Sequence, residues 1–347
     1  MNTTHEVFFS DARNMNQIKT NTIDLVVTSP PYPMIQMWDK AFAAMNPQVS
    51  EYLQSKQGNK AFEAMHAELD KVWEELKRVV KPSGFVCINI GDATRSIGKN
   101  FQLYPNHTRI MQKMIQLSFQ ALPMIIWRKP TNKATKFMGA GMLPAGAYVT
   151  LEHEYILLFR NGGKRMFTKE EDKKQRRESA FFWEERNHWF SDTWNIGGVR
   201  QKTNRTNTRH RSAAYPLEIP FRLINMYSVY QDTVLDPFLG TGTTMMAAIS
   251  AGRNSVGLEV DNSLQKVCFD NVKQFKPLAN QQTKERLQQH LEFVQTTNTK
   301  LNHWNPQFKC PVCTTQEVDM SFLQIDDVHQ QNGCFTVSYV PLDNPTL

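Results

Sequence analysis

The chain contains no apolar run near the roughly 20 residues that a membrane span needs. Its opening residues, MNTTHEVFF, lack the charged-then-apolar layout of a signal peptide, so a cytoplasmic protein is expected. Cysteine is scarce and odd in number, five in 347 residues, which excludes a complete disulfide framework and points to reduced thiols. There is no internal repeat and no G-x-x-x-x-G-K-[ST] phosphate loop. What these absences leave is an ordinary globule, long enough for one large domain with insertions or two modest ones.

Charge is concentrated in one place. The net charge is +7, and residues 160–211 hold 14 Lys and Arg against 7 Asp and Glu, so the whole excess sits there. The same stretch carries Trp183, Trp189 and Trp194 among many Asn, Gln and Thr. A localised basic segment suits a polyanion, because excess cations bind phosphate whatever the base sequence. The alternative for the charges is a solvated face; the tryptophans read first as the small core of the insert and otherwise as recognition residues.

Periodicity outlines an α/β protein with a mostly parallel sheet. Strands are expected at EVFFSDA, TIDLVVTSPP, GFVCINIGDA, PMIIWRK, YILLF, TVLDPFLG and NSVGLEVD. Helical spacing runs from Ala61 to Val80 and is stopped by Lys81-Pro82-Ser83-Gly84; further helices are expected at 107–118, YPLEIPFRLINMYS and TTMMAAISAG. The pattern lapses at about 130–211, which reads as a basic insert. From about Phe275 the chain reads as Gln-rich helix and then a short piece containing KCPVC.

Two motifs carry chemistry. In LDPFLGTGTT, residues 235–244, a strand ends in an acid, and two glycines one apart open a helix, so a ligand can pack on bare main chain. The third glycine of a dinucleotide fingerprint is missing, which favours a nucleoside without pyrophosphate. Glu259, 19 residues after Gly240, ends the next strand, where its carboxylate can accept hydrogen bonds from ribose hydroxyls. TSPPY, residues 28–32, places a hydroxyl, a rigid proline turn and an aromatic ring at the end of a buried strand.

Together, LDPFLGTGTT, GLEVD and TSPPY resemble the amino-methyltransferases of DNA, which modify the exocyclic amine of adenine or cytosine. With TSPPY ahead of the cofactor turn, the motif order is similar to that of the circularly permuted class of the family. The resemblance implies a Rossmann-like sheet dependent on S-adenosylmethionine, with an inserted target-recognition domain. Its implied layout is a catalytic domain of 1–130 and 212–275, a recognition insert at 131–211 and a C-terminal extension of 276–347.

Carried over by resemblance, Asp236, Phe238, Gly240, Thr241, Gly242 and Thr243 line the cofactor pocket, Glu259 holds the ribose and Asp11 reaches the adenine. HRSAAYPLEIP, from His210, matches the motif before the cofactor turn. Ser29 and the Pro30 carbonyl would accept the two amino hydrogens of a base flipped from the duplex, with Pro31 fixing the turn and Tyr32 stacking. Serine in the first position resembles the cytosine-N4 members. Asp92, in INIGDA, is the carboxylate expected to relieve Ser29, or else a cap for the following turn. Arg200, Lys202, Arg205, Arg209 and Arg211 are expected on DNA phosphates. Cys310 and Cys313 read as two free thiols or as the start of a structural zinc site completed by His329 and Cys334. A cognate restriction endonuclease as functional partner, in a bacterial or archaeal cell, is implied by the resemblance alone. Adenine-N6 transfer is the nearest rival. Action on RNA or a protein amide, a non-catalytic DNA-binding scaffold and a nicotinamide oxidoreductase are the others.

Overall fold

Short apolar runs bounded by turn residues become strands here, and stretches of helical period become the layers that cover them. The computed structural model describes residues 1–129, 138–198 and 215–342. In chain order the strands begin with β1 (Asn2–Phe8), β2 (Ile23–Thr28), β3 (Val80–Ile90), the hairpin of β4 (Ala93–Ile97) with β5 (Asn100–Tyr104), and β6 (Gln120–Arg128). They continue with the small pair β7 (Met138–Gly139) and β8 (Ala147–Tyr148), then β9 (His153–Arg160), β10 (Thr193–Asn195), β11 (Thr233–Asp236) and β12 (Asn254–Leu258). Last come the ribbon of β13 (His303–Asn305) with β14 (Cys310–Val312), and the hairpin of β15 (Leu323–Gln331) with β16 (Cys334–Pro341). The helices are α1 (Asp39–Met45), α2 (Gln48–Gln54), α3 (Gly58–Val79), α4 (Asn106–Gln116), α5 (Glu170–Glu178), α6 (Trp183–Trp189), α7 (Glu218–Tyr227), α8 (Thr243–Ser250), α9 (Gln265–Gln274) and α10 (Lys276–Thr296).

Ten strands form one sheet in the order β10-β6-β9-β3-β2-β11-β12-β1-β16-β15. The middle five, β3, β2, β11, β12 and β1, are mutually parallel. Every residue of β2 is buried, as a parallel strand covered on both faces must be. Its alternate side chains divide the core. Val26, with Val86 and Ile88 of β3, packs under Phe62, Met65, Leu69, Val72, Trp73 and Leu76 of α3. Leu25 and Val27 turn the other way, toward Ile219 and Leu223 of α7 and Ala247 and Ala248 of α8. Those α3 residues recur at helical spacing, which places them on one stripe. The helix ends at Val79, as expected, and Lys81-Pro82-Ser83-Gly84 is absorbed into β3 with Ser83 at φ +70°.

Two expectations are corrected. The stretch 131–211 is not a separate insert throughout: β9 lies antiparallel between β3 and β6, and β10 pairs with β6. Trp189 and Trp194 are core, as expected of them, but they are buried with Trp127 and Leu25 in the core of the main sheet and not in one of an insert. Nor is the tail only helix and a cysteine piece. After α10, the hairpin β15–β16 joins the main sheet, with β16 antiparallel to β1. Alternating residues Phe335, Val337 and Tyr339 are buried there against Met245 and Ile249 of α8.

Candidate active site

The carboxyl ends of the five parallel strands meet along one edge, the place where open α/β sheets bind ligands. TSPPY follows β2, and the glycine turn follows its neighbour β11. Asp236 joins the two. It is buried, with Thr28 Oγ1 donating to Oδ1 at 2.6 Å, Thr244 Oγ1 to Oδ2 at 2.5 Å and the Phe238 amide to Oδ1 at 3.0 Å. Burial pushes its pKa up to about 6 in spite of those donors. Asp236 therefore acts as the clasp between the two motifs. The Tyr215 hydroxyl, from the HRSAAYP segment, lies 2.5 Å from Thr244 Oγ1 and extends the clasp to α8.

Gly240 and Gly242 both have positive φ, +56° and +91°, where a side chain would be strained. At Gly242 a Cβ would also stand 2.9 Å from Cys268 Sγ, whereas around Gly240 the nearest atom would be 4.0 Å away. The main chain at Gly240 is thus bare, with room for a ligand to lie on it. Glu259 holds the turn's shape: Oε2 accepts the Gly240 amide at 2.8 Å and Oε1 the Asp261 amide at 2.8 Å. Each oxygen keeps a lone-pair direction free for a hydroxyl. This geometry fits an adenosine-type ligand. Phe238 lies edge-on to Trp73 of α3, ring centroids 6.3 Å apart, and Thr241 is fixed through its carbonyl by Asn271. Thr243 begins α8.

Beyond β2, Pro30 and Pro31 are buried and Ser29 is half-buried. Ser29 Oγ is 3.2 Å from the Tyr32 hydroxyl, which donates to Glu154 Oε2 at 2.8 Å. Asn89 Nδ2, near the end of β3, donates to the Tyr32 oxygen at 2.8 Å and Glu154 Oε2 at 2.7 Å, and reaches Ser29 Oγ at 3.4 Å. Lys129 closes the group with an ion pair to Glu154 Oε1. Burial first, and the Glu154 charge next, hold the Tyr32 phenol well above its usual range, so it stays protonated.

The structure gives several expected residues protein partners of their own. Asp92 faces His107: its oxygens lie 2.9 and 2.8 Å from Nδ1, and Oδ1 accepts the His107 amide at 3.1 Å at the start of α4. It caps that helix, and the carboxylate beside Tyr32 is Glu154. Asp11 is gripped by Arg13, whose side chain also donates to Glu68 on α3. Burial raises the Asp11 carboxyl, but Arg13 outweighs it and holds it below the ordinary value. The zinc set does not assemble. Cys334 and His329 lie in the hairpin on the main sheet, whereas Cys310 is buried with Phe182, Leu287 and Phe308 beneath α10. Among the described residues no group of three or more His, Cys, Asp or Glu is placed to hold a metal. Arg200, Lys202, Arg205, Arg209, His210 and Arg211 lie outside the described residues.

Asn89, Lys129 and Glu154 went unread in the sequence. Asn89 sits in the expected strand INIGDA, three residues before the acid that drew attention, and Glu154 in EHEYILLF just before an expected strand. An acid abutting an apolar strand was the available signal.

The profile of the DNA methylase family N6_N4_Mtase matches residues 23–270. The Type II methyltransferase M.MthZI of Methanothermobacter thermautotrophicus is 52% identical over 92% of this chain and 90% of its own. M.MjaI of Methanocaldococcus jannaschii, also a Type II methyltransferase, is 46% identical over 78% of this chain and 91% of its own. Among solved structures, the putative DNA modification methylase TTHA0409 of Thermus thermophilus, in complex with S-adenosyl-L-methionine, aligns with a TM-score of 0.61 and 29% identity, over 78% of this chain and 94% of that one. With the family profile spanning both strand-end motifs, the chain belongs to the N6/N4 DNA methylase family.

Proposed function

We propose that the protein is a permuted, S-adenosylmethionine-dependent DNA methyltransferase that acts on the N4 amine of a cytosine flipped out of the duplex, and that it protects host DNA in a restriction-modification system. The observation that carries this reading is the clasp: Thr28, beside Ser29, hydrogen-bonds Asp236, ahead of the glycine turn, so the target site and the cofactor turn share one edge. Relatives named Type II methyltransferases and a SAM-bound structural neighbour support it.

In this reading the Gly240–Gly242 turn and Glu259 would hold the cofactor, Glu259 at its ribose, and the cofactor would supply an electrophilic methyl group. The exocyclic amine is a weak nucleophile because its lone pair is delocalised into the ring. Ser29 Oγ and the Pro30 carbonyl accept its two hydrogens, favouring a lone pair out of the ring plane and aiming it. The proline pair holds that carbonyl in place. Serine in TSPPY supports cytosine over adenine. The basic residues Arg200, Lys202, Arg205, Arg209 and Arg211 are proposed phosphate contacts.

Nucleoside mass spectrometry of unmethylated duplex DNA, incubated with the protein and methyl-labelled S-adenosylmethionine, tests the reading. Labelled N4-methylcytosine is expected. Labelled N6-methyladenine would keep the enzyme class and overturn the choice of base; no labelled base in several genomic DNAs would overturn DNA as substrate.

A further inference from the structure

We propose that Glu154 is the terminal proton acceptor of the transfer, reached from the target amine through Ser29 and Tyr32. This rests on the methyltransferase reading above. The transfer leaves the amine with one proton too many, and a serine hydroxyl is too weak a base to keep it. A carboxylate is needed within reach. Asp92 is committed to His107 and the first turn of α4, whereas Glu154 is two hydrogen bonds from Ser29.

The polarity of those bonds follows from counting hydrogens. A carboxylate only accepts, so the single Tyr32 hydrogen goes to Glu154 at 2.8 Å. Both Asn89 Nδ2 hydrogens are taken by its short contacts, 2.8 Å to Tyr32 and 2.7 Å to Glu154. Across the 3.2 Å contact, then, Ser29 donates and Tyr32 accepts. That leaves the Ser29 lone pairs as acceptors facing the amine.

In the step itself an N–H bond of the methylated amine breaks and its electrons return to nitrogen. The proton moves to Ser29 Oγ, the Ser29 proton to the Tyr32 oxygen, and the Tyr32 proton to Glu154 Oε2. The amine ends neutral, both hydroxyls are restored and Glu154 becomes a carboxylic acid. A concerted shift is required, because Tyr32 strongly resists becoming a phenolate. Before the step, Lys129 pairs with Oε1 and leaves Oε2 to the relay. With its side chain 14% exposed, Glu154 can return the proton to water afterwards.

The test compares wild type with Glu154→Gln, Glu154→Asp and Tyr32→Phe in single-turnover methylation of duplex DNA across pH, alongside equilibrium binding of S-adenosylmethionine and DNA. Gln still accepts from Tyr32 but cannot take a proton. Turnover in Glu154→Gln and Tyr32→Phe is expected to fall by roughly 10²–10⁴-fold, with both affinities within about 3-fold of wild type and the acid limb of the pH profile lost. Glu154→Asp should recover part of the rate together with an acid limb, which a merely structural role would not bring back. The double variant should be no slower than the worse single one, since both act in one relay. Turnover of Glu154→Gln within about 3-fold of wild type overturns the proposal, as does a collapse in Asp92→Asn while Glu154→Gln stays active. Should Glu154→Gln lose cofactor binding by misfolding, Tyr32→Phe carries the test on the same criteria. A wild type inert on DNA would instead defeat the methyltransferase reading.

Discussion

At Gly91 a single methyl group would disturb the site. A Cβ there would stand 3.0 Å from Tyr32 Cε2 and 3.2 Å from Glu154 Cγ, so ring and carboxylate would both have to give way. Displacing groups that align a reaction by fractions of an ångström costs up to about 10²-fold in rate. Gly91→Ala is therefore expected to slow methyl transfer roughly 10- to 100-fold while cofactor affinity, measured by calorimetric titration, stays near wild type. Gly240 differs in kind. Open space surrounds it, and its positive φ, not crowding, is what calls for glycine. A glycine in a G-x-G turn announces itself by spacing; Gly91 is explained only by the two side chains that the fold brings against it.

Among the elements, the hairpin β15–β16 was one that the sequence reading passed over, although its turn was legible. Asn332 and Gly333 have φ of +49° and +79°, the all-positive turn that Asn-Gly favours in two-residue hairpins. The flanking residues alternate, with Phe335, Val337 and Tyr339 inward. The Gln-rich helix before it and the cysteine spacing drew attention instead. In place, β16 covers what would be an exposed edge at β1, a hazard for chain-to-chain pairing. A Cβ at Gly333 meets nothing within 4 Å, so a substitution there adds backbone strain alone. Gly333→Ala is expected to lower stability by about 1 kcal/mol, read from urea unfolding midpoints, with methylation rate unchanged.

For the whole molecule, two of the buried histidines, His5 and His66, contribute to the loss of stability in acid. His5 lies 2.8 Å from both Thr3 and Ser255, and His66 of α3 lies 3.0 Å from Asn106; burial pushes both imidazoles down to about 3. The unfolded chain takes up protons near 6.5 that the native protein refuses until about 3. Their stabilising contribution is complete above about 6.5 and is lost as pH falls toward 3, by about 1.4 kcal/mol per pH unit for each. Asp236 works with the opposite sign, since its raised pKa stabilises below about 3.8 and that contribution is lost as pH climbs through about 6. His66→Gln should flatten the acid slope of unfolding free energy between pH 6 and 4 by about 1.4 kcal/mol per unit, measured against wild type in urea titrations. By itself the sequence determined the α/β class, the strand that ends in TSPPY, the Gly240–Gly242 turn and the place of Glu259 at the end of the next strand. Prolines and glycines dictate local backbone, and side-chain periodicity dictates which face is buried, whatever the distant chain does. Only the tertiary structure decided that Asp92 caps α4, that the tail completes the sheet, and that the carboxylate on Tyr32 is Glu154, 122 positions away along the chain. Pairings of that kind depend on which strands become neighbours, and a neighbour in the sheet leaves no mark in the local pattern.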